Sequence, residues 1–86
     1  KLPINKLKID KSFIDGIPND EDDVLISKAI IALAKNLKLS IIAEGVEEKE
    51  QVDFLVKNGC ENIQGYFYSK PIPADEFEEI FLLKQL

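Results

Sequence analysis

Residues 40–45, SIIAEG, decide the fold of this chain. Residues 40–43 are a short, mainly apolar run of the kind that forms a buried strand, and it ends at Glu44 and Gly45. The sequence on either side has the spacing of an amphipathic helix. We therefore expect a buried strand that lies between two helices.

The helix before this strand is predicted over about residues 22–37. The acidic run at residues 20–23 suits its first turn, because the helix dipole favours negative charge there. Apolar residues recur at helical spacing within it: Ile26, Ala29, Ile30, Leu33 and Leu37.

The helix after the strand starts close to Glu47, Glu48 and Glu50, which are expected in its first turn. Gly59 is a suitable residue to end it, because glycine adopts the left-handed conformation that follows many helices. Its apolar stripe is expected to be Val52, Leu55 and Val56.

A second strand is predicted at the amino-terminal end of the chain. Apolar and charged residues alternate over residues 6–10, which predicts a strand with Lys8 and Asp10 on one face. Residues 11–14 suit one turn of helix. After it, Gly16, Pro18 and Asn19 indicate a loop over residues 16–19.

A third strand and a last helix are predicted at the other end. Residues 62–64 suit a short strand, and residues 74–86 suit a helix. Pro71 and Pro73 indicate a turn between the two. The buried stripe of this helix is expected to be Phe77, Ile80 and Phe81.

The whole pattern is an alternation of strands and helices, and it predicts an α/β fold of three consecutive βα units with parallel strands. Two arrangements of the sheet fit this pattern. One is a three-stranded doubly wound sheet. The other is an arc of a TIM-like (β/α)8 barrel, incomplete because a full barrel needs eight units and about 250 residues.

Composition excludes several classes of function. All eleven basic residues are lysines and the net charge is −5, so the chain lacks the bidentate arginine of duplex nucleic-acid binders. It has no histidine, and its single cysteine, Cys60, excludes an internal disulfide and favours a reducing, cytoplasmic location. The longest apolar run, residues 29–34, is far shorter than the ~20 residues of a membrane span, so no membrane contact is expected.

Polar residues close the predicted strands, and parallel α/β folds place their functional sites at those ends. We therefore expect Lys8, Asp10, Glu44 and Gln64 at one edge of the sheet. Such a set could hold a divalent metal through oxygen and position a phosphate and a water. The alternative for each charged residue is a solvated strand end or a helix cap, and Gln64 alone carries no signal.

Three segments resemble those of one family. Residues 2–13, LPINKLKIDKSF, resemble the LP-x-x-x-LKID-x-SF segment of EAL-domain cyclic-di-GMP phosphodiesterases. Residues 42–47, IAEGVE, with Gln51 downstream, are similar to the family's IAEGVE segment. Residues 64–73 are similar to its QGY-x-x-x-x-P-x-P segment. The intervals also fit, with 36 residues from Lys8 to Glu44 and 20 more to Gln64.

The resemblance implies a modified TIM barrel that hydrolyses cyclic-di-GMP to the linear dinucleotide with Mg²⁺ or Mn²⁺. It implies that Lys8 acts at the water and phosphate, that Glu44 serves the metal directly or indirectly or orients the water, and that Gln64 is an active-site amide. Other positions match the substrate side of the family's site: Asp10, Glu47 and Tyr66. Tyr66 and its neighbour Tyr68 also suit a packing role.

The family's Glu-Ala-Leu signature, the Asn and Glu of its middle strands and its paired aspartates are absent from these 86 residues. The resemblance therefore implies that residues 1–86 are a C-terminal fragment with the last three βα units, inactive alone and without bound metal. Two alternatives are a fragment of a catalytically dead EAL domain that acts as a cyclic-di-GMP receptor or protein-interaction module, and a self-sufficient small α/β interaction domain.

Three strands without a closed barrel leave two open sheet edges and an inner face on which Ile42 is expected to be exposed. Pairing of these surfaces between copies would bury them, and two-fold symmetry is the commonest solution. We therefore expect a homodimer or a larger assembly.

Overall fold

The computed structural model describes residues 5–65 and 70–85, with the side chains of residues 81, 84 and 85 excepted. No helix within these ranges is long and apolar enough to cross a membrane. The elements in chain order are β1 (Lys6–Ile9), α1 (Lys11–Ile14), α2 (Glu21–Asn36), β2 (Ser40–Val46), α3 (Lys49–Lys57), β3 (Asn62–Gly65), β4 (Ile72–Pro73) and α4 (Ala74–Gln85).

The strands form one sheet in the order β1-β2-β3-β4. β1 pairs with β2, and β2 with β3, in parallel, so the predicted parallel α/β arrangement is confirmed. β4 pairs with β3 in antiparallel orientation and was not predicted, because Pro71 and Pro73 indicated only a turn. A strand that includes proline is tolerated at a sheet edge, where the missing N–H leaves no ladder bond unmade. Closure of this sheet as part of a barrel stays a prediction.

The ends of the helices follow local signals that the sequence contains. The Asp20 side chain caps α2 by accepting a hydrogen bond from the Asp23 N–H at 3.0 Å. Helix α3 ends at Lys57, with Asn58 as its C-cap. Gly59 follows with a φ of +83°, so the predicted stop is confirmed.

The core lies on the face of the sheet that the helices cover. Register places Ile9, Ala43, Ile63 and Ile72 in one row across the four strands. The first three are fully buried. The helices add further core residues from their inner faces: Ile14, Ile31, Ala34, Val52, Leu55, Ala74 and Phe77. The side chains of the opposite row, which includes Lys8 and Ile42, point away from this core.

The apolar residues noted at helical spacing are not the ones that α2 buries most deeply, although Ile30 is half-buried and packs against the core. The residues that α2 buries are Ser27, Ile31 and Ala34. Ile26, Leu33 and Leu37 are instead 38%, 50% and 45% exposed. The helix has two apolar faces with the same spacing, and the small side chains of Ser27 and Ala34 favour close approach of one of them. Periodicity alone could not distinguish the two faces.

Ser27 lies on the buried face of α2, and its Oγ is a buried hydroxyl without a hydrogen-bond partner among the described residues. We expect Ser27→Ala to stabilise the chain by about 1 kcal/mol, because it removes an unsatisfied polar group and improves helix propensity. Urea unfolding would measure the change, with Ser40→Ala, at an exposed strand residue, as the control. A loss of stability in Ser27→Ala would contradict this expectation.

The expected exposure of Ile42 is also wrong, since this side chain is only 6% exposed. Its register partners on the neighbouring strands are Lys8 and Asn62, whose side chains flank it on the same face. β4 also occupies one of the two sheet edges that were expected to be open. Self-association of the chain stays a prediction.

Candidate active site at the carboxyl edge of the sheet

Lys8 and Glu44 come together at the carboxyl edge, as their strand positions predict. Lys8 is in register with Ile42, so Glu44 lies two residues further along β2 on the same face. The Lys8 Nζ is 3.6 Å from the Glu44 Oε2, and the two side chains are 59% and 32% exposed. An ion pair this exposed contributes little to stability. This ion pair is important because it places an ammonium and a carboxylate side by side at the carboxyl edge.

A β-bulge follows Ala43 and shapes this edge. The register between β2 and β3 shifts here. Ala43 pairs with Ile63 and Val46 pairs with Gly65, so β2 uses one residue more than β3 between these two pairs. Gly45 lies in the bulge with a φ of +72°, a left-handed conformation that other residues rarely adopt. A Cβ at Gly45 would also collide with the Lys11 side chain. The bulge therefore requires glycine next to Glu44, as bulges beside functional sites often do.

An open cleft of about 390 Å³ lies beside Glu44. It brings three of the predicted site residues together, since Glu44, Glu47 and Gln64 all line it. The lining is completed by one cation and two glycines: Lys11, Gly45 and Gly65. Carboxylates, an amide and a cation around one cleft can orient a water and receive an anionic group.

Lys11 is a site residue that the sequence reasoning missed. Its Nζ donates to Asp15 Oδ1 at 2.9 Å and lies 3.7 Å from Glu47 Oε1. The hydrogen bond to Asp15 raises the pKa of Lys11 against a smaller effect of desolvation, and the charges of Asp15 and Glu47 add to the increase. Polar residues at strand ends do not indicate Lys11, because this residue lies on α1 and its side chain reaches the cleft over Gly45.

Asp10 caps α1. Its Oδ2 accepts hydrogen bonds from the Ser12 N–H at 3.0 Å and the Ser12 Oγ at 2.7 Å. The backbone bond, and after it the hydroxyl bond, lowers the pKa of Asp10 from its ordinary value of 3.8. This is the helix-cap alternative that the sequence left open. A substrate-side role for Asp10 stays a prediction, and Tyr66 lies outside the described residues.

The lowered pKa of Asp10 predicts a pH-dependent contribution to stability. That contribution is present above the unfolded-state pKa and is lost as the pH falls through the lower folded-state pKa. We expect Asp10→Asn, a cap that cannot ionise, to be less stable than the original chain near neutral pH and to match it in strong acid. Thermal unfolding of both proteins from about pH 7 to about pH 2 would measure this. A difference that is independent of pH would contradict it.

The described residues do not form a metal centre by themselves. Within residues 5–65 and 70–85, no three acidic or cysteine side chains are grouped as metal ligands. Glu44 is already paired with Lys8, and Glu47 lies nearest to Lys11. A divalent ion at this edge would therefore need carboxylates from elsewhere.

A second cleft of about 390 Å³ lies at the opposite, amino edge of the sheet. It is lined mainly by Lys35, Lys38 and residues at the start of β2. Lys35 donates there to the carbonyl oxygen of Asn58 at 3.1 Å, which joins α2 to the end of α3. We assign the candidate site to the carboxyl edge, because the Lys8–Glu44 and Lys11–Glu47 ion pairs lie there.

Cys60 is buried, and burial raises its pKa to about 11. Its Sγ donates to the carbonyl oxygen of Asn62 at 3.3 Å. A thiol with this pKa is almost fully protonated at neutral pH and is a poor nucleophile.

The fold and the cleft define an α/β domain with a candidate site at the carboxyl ends of parallel strands. Comparison with known families agrees. The EAL domain model matches residues 1–71, and the chain belongs to the EAL domain family.

Curated relatives cover nearly the whole chain. The signaling protein YkoW of Bacillus subtilis is 48% identical over 98% of the chain, and the cyclic di-GMP phosphodiesterase NbdA of Pseudomonas aeruginosa is 48% identical over 92%. The chain spans only 10% of the length of each of these relatives.

Solved structures are also similar. The PaMucR phosphodiesterase in complex with c-di-GMP has a TM-score of 0.73 at 45% identity, with 88% of this chain and 31% of that chain covered. The EAL domain of Mycobacterium smegmatis DcpA has a TM-score of 0.72 at 38% identity, with 95% and 37% covered.

Proposed function

We propose that this chain is the C-terminal part of an EAL domain that hydrolyses cyclic-di-GMP to the linear dinucleotide, and that residues 1–86 supply its last three βα units. The observation that carries the proposal is the Lys8–Glu44 pair, 3.6 Å apart at the edge of a cleft that Glu44 and Gln64 line. Relatives named as cyclic di-GMP phosphodiesterases, and the PaMucR phosphodiesterase complex with c-di-GMP, support the choice of substrate.

Each residue has a role that follows from its charge and place. The Lys8 ammonium stabilises the negative charge that develops on a phosphate oxygen when water attacks. The Glu44 carboxylate accepts a hydrogen bond from that water and orients it toward the phosphorus. Gln64 offers a neutral amide in the same cleft for the sugar-phosphate backbone. Glu47 and Asp10, with Tyr66, belong to the substrate side of the site.

A divalent ion, Mg²⁺ or Mn²⁺, belongs to the complete domain in this proposal. It would supply positive charge at the phosphodiester. The described residues offer Glu44 as their contribution and lack a set of carboxylates that could hold the ion alone. The chain by itself is therefore expected to be inactive toward cyclic-di-GMP.

A segment exchange tests the proposal. Residues 1–86 replace the matching C-terminal segment of the PaMucR phosphodiesterase, whose structure covers 88% of this chain. Hydrolysis of cyclic-di-GMP by this chimeric domain is then measured with Mg²⁺ or Mn²⁺, and the original PaMucR domain is the control. We expect the linear dinucleotide as the product.

The outcomes separate the alternatives. A folded chimera that binds cyclic-di-GMP without turnover would favour the receptor alternative. A folded chimera that neither binds nor hydrolyses it would overturn the proposed function. Folding is checked independently by circular dichroism and by thermal unfolding.

A further inference from the structure

Gln51 has a buried side-chain amide close to the site but outside its cleft. The residue is only 3% exposed, although it is polar and lies in the first turn of α3. Its Oε1 accepts hydrogen bonds from the Glu47 N–H at 2.8 Å and the Glu48 N–H at 3.0 Å. Its Nε2 donates to the carbonyl oxygen of Ile14 at 3.1 Å. One side chain thus makes three hydrogen bonds to the backbone.

The orientation of this amide is determined by its partners. Backbone N–H groups can only donate and a backbone carbonyl can only accept, so Oε1 must face Glu47 and Glu48 while Nε2 faces Ile14. A carboxylate cannot donate, and an apolar side chain can do neither. Among the natural side chains of this length, only glutamine satisfies all three groups near neutral pH.

The three bonds connect the two segments that carry the cleft. Glu47 and Glu48 join the end of β2 to α3, and the Glu47 side chain lines the cleft. Ile14 ends α1, the helix that brings Lys11 to the opposite side of the same cleft. The Lys11–Glu47 pair, at 3.7 Å, spans these segments.

Helix capping alone does not account for this arrangement. The caps Asp10 and Asp20 are exposed and bond only within their own segments. Gln51 is buried and reaches 37 residues back along the chain to Ile14. Burial of an amide is unfavourable unless its bonds are made, so a buried link between two loops gives a fixed separation rather than a flexible one.

We propose that Gln51 is a positioning residue: it holds the Lys11 and Glu47 sides of the cleft at the separation that a bound phosphodiester requires. The inference rests on the proposed function, since it concerns the same cleft. Gln51 acts through Glu47 and Lys11 and does not itself touch the ligand.

Gln51→Glu is the sharpest test, because glutamate keeps the shape of the side chain. The ionised carboxylate accepts from Glu47 and Glu48 but cannot donate to Ile14, and it repels that carbonyl oxygen. The protonated acid can make all three bonds, and burial favours protonation. The effect of Gln51→Glu should therefore shrink as the pH falls. Gln51→Leu loses all three bonds at every pH and is the matched control.

Both variants are made in the chimeric domain, and kcat, KM and thermal unfolding are measured from about pH 8 to about pH 5. Each value is divided by that of the unsubstituted chimera at the same pH. We expect kcat of Gln51→Glu to fall about tenfold or more at the alkaline end, since small displacements of a site are costly, and to recover toward the acid end. Gln51→Leu should show the loss without the recovery.

A fall in thermal stability with unchanged kcat and KM in both variants would show a purely structural role and overturn the inference. An inactive unsubstituted chimera would instead count against the proposed function. Hydrogen exchange then decides the inference separately, in whichever chain folds. Relative to the unsubstituted chain at the same pH, Gln51→Glu should lower the exchange protection of the α1 amides at alkaline pH and restore it in acid. A difference in protection that is the same at every pH would overturn the link.

Discussion

Glu44→Gln should lower turnover of cyclic-di-GMP by the chimeric domain by about 10²- to 10⁴-fold, the usual contribution of a residue that handles protons in the reaction. The amide keeps the size of the side chain but loses the charge beside Lys8 Nζ, 3.6 Å away. It also accepts a hydrogen bond from water more weakly than a carboxylate does. Because the pair is exposed, the free energy of unfolding should change by about 0.5 kcal/mol or less.

Steady-state kinetics and urea unfolding of the same preparations would check both parts of this expectation. Glu79→Gln is the matched control, since Glu79 is an exposed glutamate on α4 and the substitution makes the same chemical change. It should leave turnover within about twofold of the unsubstituted domain. Unchanged turnover by Glu44→Gln would show that the Glu44 carboxylate takes no part in the reaction.

Phe77→Ala should cost about 3–5 kcal/mol of stability, the largest effect that we expect from any substitution in the core. Phe77 is fully buried on α4, and its ring lies against the backbone of Gly65, where even an added Cβ would collide with it. Removing the ring leaves a cavity between α4 and β3. The free energy of unfolding of a typical domain is only about 5–15 kcal/mol. A loss of this size is a large part of it, so partial unfolding near room temperature is expected.

The free energy of unfolding by urea is the measurement for this prediction. Leu83→Ala on the same helix is the control, because Leu83 is 67% exposed and its truncation should cost about 0.5 kcal/mol or less. Phe77→Leu fills more of the space and should lose less than Phe77→Ala. A cost below about 1 kcal/mol for Phe77→Ala would mean that the ring does not join α4 to the sheet.

The order of the elements and the edge at which the candidate site lies follow from local sequence patterns. Alternating and helical spacings are local properties, so they placed β1, β2, β3 and the three longer helices within a few residues of their observed bounds. Polar residues at strand ends are also visible in the sequence. The positions of Lys8 and Glu44 at the ends of parallel strands were enough to predict their meeting.

Which surfaces of these elements meet depends on contacts that form in the folded chain. The two apolar faces of α2 have the same period, and contact with the sheet selected the one with Ser27, Ile31 and Ala34. The antiparallel strand β4 depends on pairing with β3, which proline-containing sequence does not indicate. Each choice is made by contacts between residues far apart in the chain, and a local pattern contains no information about them.

The details of the cleft have the same origin. The bulge at Gly45 arises from a register shift against β3, and Lys11 enters the cleft only because α1 passes over that glycine. Gln51 looked like one residue of a family motif, whereas its bond to Ile14 becomes visible only when the two loops are side by side. The sequence thus determined which chemical groups end the strands. The folded chain determined how far apart they lie, because distance across a cleft depends on packing between segments that are remote in sequence.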